Sequence, residues 1–237
     1  MQDTAAWNRS LVSCIIPVFN GAGHLRAAID SVLGQTYSPI EVIAVDDGST
    51  DHTPEILSAY AGSIQVLRQT NAGPAAARNL GVQSSTGAFV AFLDQDDYWR
   101  HDKLIRQMAR FDARPELDVV VAHVQSFWQD DHARSADQPR TGTVPGYVSG
   151  TMLARRSVFD QVGMFDPGLW FVDSLDWFAR AKEHGATVDL VADVLLFHRV
   201  HTDNLSRLGR ESRAESLRVV RNALSRRQQA EAANARR

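Results

Sequence analysis

The chain has 237 residues, with 25 Lys+Arg against 28 Asp+Glu, a formal charge of −3 and 44% hydrophobic content. That length and composition suit one large globular domain with its own core and argue against wholesale disorder. A single cysteine excludes an intramolecular disulfide framework and any cysteine-based zinc site. The charge is uneven: nine Arg and three Glu over residues 207–237 give +6, leaving −9 on the other 206 residues. No apolar run approaches the ~20 residues that span a bilayer. The polar stretch Met1 to Ser10 lacks the sections of a signal peptide, so a cytoplasmic location is expected.

In chain order, Leu11 to Val18 reads as a buried strand holding Cys14, expected to be an inert core thiol. Leu25, Ala28, Ile29, Val32 and Leu33 recur at helical spacing until Gly34. Ile40 to Val45 is a second strand, closed by Asp46-Asp47-Gly48-Ser49. Thr53-Pro54-Glu55 reads as an N-cap, a first-turn proline and an early acid. A short strand over Ile64 to Leu67 precedes a small-residue helix over Ala75 to Val82. Phe89 to Leu93 is a fourth strand, ended by Asp94-Gln95-Asp96-Asp97, where Asp97 is expected to cap the next helix. A helix over Leu104 to Phe111 and a strand over Val119 to Val124 follow. Gln129 to Thr143 reads as a polar loop, Val158 to Val162 as a short helix, and Leu175 to His184 as an amphipathic helix. Val194 to Val200 is a strand, and a long helix begins at Glu211. Alternating strands and helices predict a mostly parallel sheet covered on both faces, with ligands at the carboxyl ends of its strands. Pro17–Asn20, Asp46–Ser49 and Asp94–Asp97 all fall at such ends.

Two nucleotide signatures fail. The third glycine of a dinucleotide fingerprint after Asn20 is replaced by Arg26, and no G-x-x-x-x-G-K-[ST] occurs. Asp94-Gln95-Asp96 is more informative, because two carboxylates two residues apart on a turn can both reach one hard cation that shares its oxygens with phosphates. Such a D-x-D alone is also what a solvated acidic turn looks like. Asp46-Asp47-Gly48-Ser49 offers a carboxylate for a pyrimidine N3–H or ribose hydroxyls, and reads equally as an Asp-Gly turn.

Five motifs in order carry a more specific signal. They are Val12–Asn20, Gln35-Thr36-Tyr37, Glu41–Asp51, Asn71–Asn79 and Phe92–Asp97. Together they resemble a family 2 glycosyltransferase of the GT-A fold, strongly over residues 10–112 and more loosely over 145–206. The resemblance implies an α/β, Rossmann-like, mostly parallel sheet flanked by helices, with a C-terminal helix. It implies a GT-A domain over residues 10–206, split into a nucleotide-binding half (10–112) and an acceptor or catalytic half (113–206), followed by the basic helix of 207–237. It implies that Pro17, Phe19 and Asp47 frame the base, with Phe19 as a stacking face. Asn20, Gly73 and Arg78 join the nucleotide-sugar site, Asp94 holds the ribose or donor sugar, and Asp96 ligates Mn²⁺ or Mg²⁺. The implied reaction is inverting transfer from a nucleotide-diphosphate sugar, UDP favoured, to a hydroxyl of a glycan, lipid-linked or other acceptor, in glycan or glycoconjugate biosynthesis. Nucleic acid is not an expected partner.

An inverting transferase needs a carboxylate to take the acceptor proton. By the resemblance it lies in Asp173-Ser174-Leu175-Asp176-Trp177-Phe178-Ala179-Arg180, where many members carry Glu-Asp at the positions of Asp173 and Ser174. Asp176 is the first choice and Asp173 the second. Arg199-Val200-His201-Thr202-Asp203-Asn204-Leu205-Ser206 resembles the R-x-H-x-x-N-x-S ending of one subset, which would bring His201 to the metal or diphosphate. If the strand continues, His198 and His201 point to opposite faces, leaving His198 in the core or on the surface. Trp170 and Trp177 read as core aromatics or a sugar-stacking wall. Two alternatives remain: a GT-A module that binds nucleotide-sugar or glycan without turnover, suggested by the missing Glu-Asp pair, and a sugar-1-phosphate nucleotidyltransferase, whose lysine after strand one is lacking. The basic tail is expected to pack on the body through Leu217, Val220 and Leu224; a sharper reading is peripheral contact with anionic lipid at the inner membrane face.

Overall fold

A computed structural model describes residues 10–128, 142–201, 204 and 209–234. The expected polar loop, apart from its last two residues, lies outside them, as do Met1 to Arg9 and Ser206. Among the described residues, nine strands are β1 (Val12–Val18), β2 (Ile40–Asp46), β3 (Gln65–Arg68), β4 (Phe89–Phe92), β5 (Tyr98–Trp99), β6 (Val119–Trp128), β7 (Thr143–Gly146), β8 (Leu153–Arg155) and β9 (Val188–Val200). The helices are α1 (Leu25–Leu33), α2 (Thr53–Ser58), α3 (Pro74–Ser84), α4 (Lys103–Ala113), α5 (Val158–Val162), α6 (Asp173–Glu183) and α7 (Gly209–Asn234).

One sheet runs β3-β2-β1-β4-β8-β6-β9-β5, with β7 beside β6. Its first four strands are parallel, as is β6 with β9; the antiparallel pairs lie in the second half, where β8, β7 and β5 join. β1 is buried along its whole length, as expected for a strand with both faces covered. Cys14 and Ile16 face one core with α1 and α4, whereas Ile15 faces another with α3, α5 and α6. The small residues of α3 let it lie close: a Cβ at Gly81 would sit 2.4 Å from Ile15 Cγ2. Burial pushes the Cys14 thiol up to about 12, so it is the inert core thiol expected.

Several local expectations change. α2 starts at Thr53 itself, with His52 before it. The Thr53 hydroxyl instead accepts the Gly21 N–H (2.8 Å). Asp97 caps no helix; α4 begins after Asp102. β5, β7, β8 and a 3₁₀ turn over Ser149–Thr151 carry no periodic signal, being two to four residues long. The turn is held from below: Trp99 Nε1 donates to Gly150 O (2.9 Å) and Gln107 Nε2 to Thr151 O (2.8 Å). Leu217, Val220 and Leu224 do not pack on the body; α7 turns Val219 inward instead. No helix among the described residues is long and apolar enough to cross a membrane.

Candidate active site

A cavity of about 910 Å³ opens at the carboxyl ends of β1, β2 and β4, within the size range of small-molecule sites. It is lined by Pro17, Phe19, Asn20, Asp47, Gly73, Arg78, Asp94, Asp96, Asp173 and His201, so all but one of the expected site residues converge there. The exception is Asp176. Its carboxylate is buried against Arg180 Nε (2.7 Å) and lies 3.8 Å from Arg226 of α7, away from the lining. Asp176, the first-choice base, thus lies outside the cavity lining, whereas Asp173, the second choice one turn earlier, is part of it.

The cavity side formed by the ends of β1 and β2 is built from turns that brace one another. Asn20 adopts a left-handed conformation (φ 50°) that asparagine tolerates. Its Oδ1 accepts the Thr50 N–H (2.8 Å) and its own N–H donates to Ser49 Oγ (2.9 Å). Asp47 is buried and accepts the N–H groups of Ala72 (2.9 Å) and Gly73 (2.8 Å) and the amide of Gln69 (2.7 Å). It therefore fixes the 69–73 loop as well as lining the cavity. Gly73 has φ +91°, and a Cβ there would lie 3.0 Å from Trp170 Cε2. Close approach and backbone conformation both demand glycine. Phe19 stays 43% exposed and lines the cavity. Gln95, the middle residue of D-x-D, pins it: Gln95 Oε1 accepts the Phe19 N–H (2.8 Å) and Nε2 donates to the Phe19 carbonyl (2.9 Å). Gln95 went unassigned in the sequence, although its place between two site carboxylates was a signal.

Arg78 is the hub. Its buried guanidinium donates to Asp94 Oδ1 (2.6 Å) and Asp173 Oδ2 (2.5 Å), joining α3 and the turn after β4 to α6. Its Nε is buried without a hydrogen-bond partner. Burial raises the Asp173 carboxyl above its ordinary range, opposed by the Arg78 charge and reinforced by Asp94. Asp173 Oδ1 also accepts the Ser174 N–H (2.8 Å).

Across the cavity, Arg199, His201 and Asn204 surround Asp96. Arg199 Nε donates to the Asp96 carbonyl (3.0 Å), His201 Nε2 lies 3.1 Å from Asp96 Oδ2, and Asn204 Nδ2 donates to the same oxygen (3.0 Å). β9 ends at Val200, so strand alternation does not govern His201, and both histidines line the cavity. His198 is thus corrected from core or surface to cavity wall. Its Nδ1 lies 3.0 Å from Asp97 Oδ1. Burial lowers the imidazole, but Asp97, with Asp96 and Asp94 behind it, raises it on balance, favouring an ion pair near neutral pH. No cluster of three or more His, Cys, Asp or Glu able to hold a metal occurs among the described residues. Asp96 and His201 offer one carboxylate and one imidazole; the carboxylate suits a hard cation such as Mg²⁺ or Mn²⁺, and the imidazole is a softer donor. Trp170 is half-exposed on the cavity wall, whereas Trp177 is core, its indole N–H donating to Gly163 O (2.9 Å).

The mixed sheet, its two helical layers and the cavity at the strand ends define the GT-A class of fold. The chain belongs to glycosyl transferase family 2, whose sequence profile matches residues 13–172. An uncharacterized glycosyltransferase of Rickettsia typhi is 32% identical over 81% of this chain and 64% of its own length. The putative glycosyltransferase EpsH of Bacillus subtilis is 31% identical over 82% of this chain and 62% of its own. The chain thus spans somewhat under two thirds of these relatives. Among solved structures, S. aureus TarS (1-349) in complex with UDP-GlcNAc is similar with a TM-score of 0.69 at 21% identity, over 84% of this chain and 61% of that one. At that identity the likeness is one of fold.

Proposed function

We propose that the cavity binds a UDP-sugar and transfers the sugar, with inversion, to a hydroxyl of a glycan, lipid-linked or other acceptor. The observation that carries this reading is the meeting, in one cavity, of the Asp96–His201 pair with the Arg78–Asp94–Asp173 triad and the exposed Phe19. The UDP and UDP-GlcNAc complexes of TarS support the choice of donor.

In this reading Phe19 stacks on the base and Asp47 holds the 69–73 loop against the nucleotide. Arg78 fixes Asp94 toward the ribose or donor sugar and Asp173 toward the acceptor. The acceptor oxygen attacks the anomeric carbon opposite the diphosphate, the carbon–oxygen bond to the diphosphate breaks, and Asp173 takes the acceptor proton. Burial makes Asp173 a better proton acceptor than an exposed carboxylate. Asp96 and His201 would hold Mn²⁺ or Mg²⁺, which when bound supplies positive charge to the departing diphosphate.

A second reading, nucleotide-sugar binding without turnover, is favoured by one observation. Both Asp173 oxygens are already engaged, Oδ2 by Arg78 and Oδ1 by the Ser174 N–H. A thermal-shift screen of UDP-, GDP- and dTDP-sugars with Mn²⁺ tests the donor. The UDP-sugars are expected to give the largest shift; a shift with GDP- or dTDP-sugars alone contradicts that assignment.

A further inference from the structure

The basic tail has two faces. Inward, Glu215 Oε2 accepts the N–H groups of Trp170 (3.1 Å) and Phe171 (2.9 Å), and Arg218 Nη2 donates to Gly168 O (2.5 Å). Arg226 pairs with Glu183 (2.6 Å), and Val219 is buried. The helix is therefore bonded directly to the cavity wall that carries Trp170. Outward, Leu217, Val220 and Leu224 are 67%, 53% and 56% exposed, and their three- and four-residue spacing places them on one face. Arg213 lies one turn before Leu217 on that face, and Arg221 lies beside Val220; both are exposed. Glu215, the one acid with a described side chain on α7, is turned away toward the wall.

We propose that this outer face of α7 docks on an anionic lipid bilayer, its leucines and valine entering the headgroup boundary and its arginines pairing with lipid phosphates. Charge complementarity selects the occupant. The body carries −9 and is repelled by an anionic surface, so the contact must be made where positive charge and exposed aliphatic side chains coincide. A second copy would set the same arginines against one another, which disfavours a helix-to-helix dimer. Because Glu215 ties α7 to the wall, docking would hold the cavity at a fixed disposition to the bilayer.

The test is co-sedimentation of the full chain with phosphatidylcholine vesicles, with and without phosphatidylglycerol. Binding is expected only with phosphatidylglycerol, and is expected to weaken strongly at about 0.5 M salt, where charges are screened beyond roughly 4 Å. R213Q/R221Q is expected to bind about thirtyfold more weakly, at roughly fivefold per arginine charge removed. L217S/V220S/L224S is expected to lose about tenfold or more, because aliphatic burial is removed while charge is unchanged. All three aliphatic positions are exposed, so thermal melts and UDP binding should match the parent chain. Equal binding by either variant, equal binding to neutral vesicles, or no binding at all overturns the proposal. A lipid-free dimer abolished by the triple serine variant overturns it too, assigning the face to a second copy.

Discussion

Replacing Arg78 by methionine removes the guanidinium that joins Asp94 to Asp173 of α6. The guanidinium sits at 2.6 Å from Asp94 and 2.5 Å from Asp173, but the two arms differ in burial: the Asp94 side chain is 41% exposed and that of Asp173 only 7%. Losing the exposed arm costs about 0–1 kcal/mol, the usual range of solvent-screened pairs. Losing the buried arm leaves Asp173 charged and unpaired, at about 3–5 kcal/mol. A double-mutant cycle in urea separates them: coupling between Arg78→Met and Asp173→Asn should reach about 2–3 kcal/mol, and with Asp94→Asn stay under about 1 kcal/mol. The sign with pH follows from burial. Asp173 binds its proton more tightly folded than unfolded, so its contribution to stability is greatest below about pH 3.8 and falls as pH rises through the raised folded value. Without Arg78 that value rises further, so the variant's deficit should shrink as the solution is acidified from neutrality. Equal coupling to both carboxylates, or a deficit independent of pH, would refute the argument that Arg78 exists to keep Asp173 ionised.

Other outcomes follow from the same contacts. Burial lowers Lys103 from 10.5 to about 7. The folded chain should therefore shed that proton first, and stability should rise by about 3–4 kcal/mol between about pH 7 and pH 10. Lys103→Met should flatten that rise; parallel urea-stability curves for the two proteins would contradict it. Gly73→Ala should cost about 1–3 kcal/mol, because alanine is strained at φ +91° and meets Trp170, and should shift tryptophan emission. Unchanged emission and stability would show that the 73 loop yields freely. Asp173→Asn should lower turnover far more than UDP affinity, whereas Asp176→Asn should act through stability, since its partners are Arg180 and Arg226.

Much of this site was legible because the chemistry sits at strand ends, and strand ends are marked by abrupt changes from apolar to polar residues. Pro17, Asp47, Asp94 and Asp96 could be placed that way before any side chain was seen. The choice between Asp173 and Asp176 could not. They stand three residues apart on one helix; Asp176 is held by Arg180 and approached by Arg226 from α7, whereas Asp173 meets Arg78 at the cavity. The histidines misled for a similar reason: alternation holds only while the strand lasts, and β9 ends one residue before His201. On α7 the helical period exposed an aliphatic face but not which face is covered, because Glu215 and Val219, not Leu217, meet the body. The 149–151 floor was invisible because its conformation is imposed by Trp99 and Gln107, which lie more than forty residues upstream.

The central claim is that one cavity both holds a UDP-sugar and activates an acceptor. Release of UDP from UDP-sugars by the full chain, measured with and without Mn²⁺ and alongside Asp96→Asn and Asp173→Asn, tests it most directly. The account predicts Mn²⁺-dependent release that both variants abolish, with UDP binding retained by Asp173→Asn. Tight UDP binding with no release under any condition would contradict it and leave a nucleotide-sugar binding module in its place.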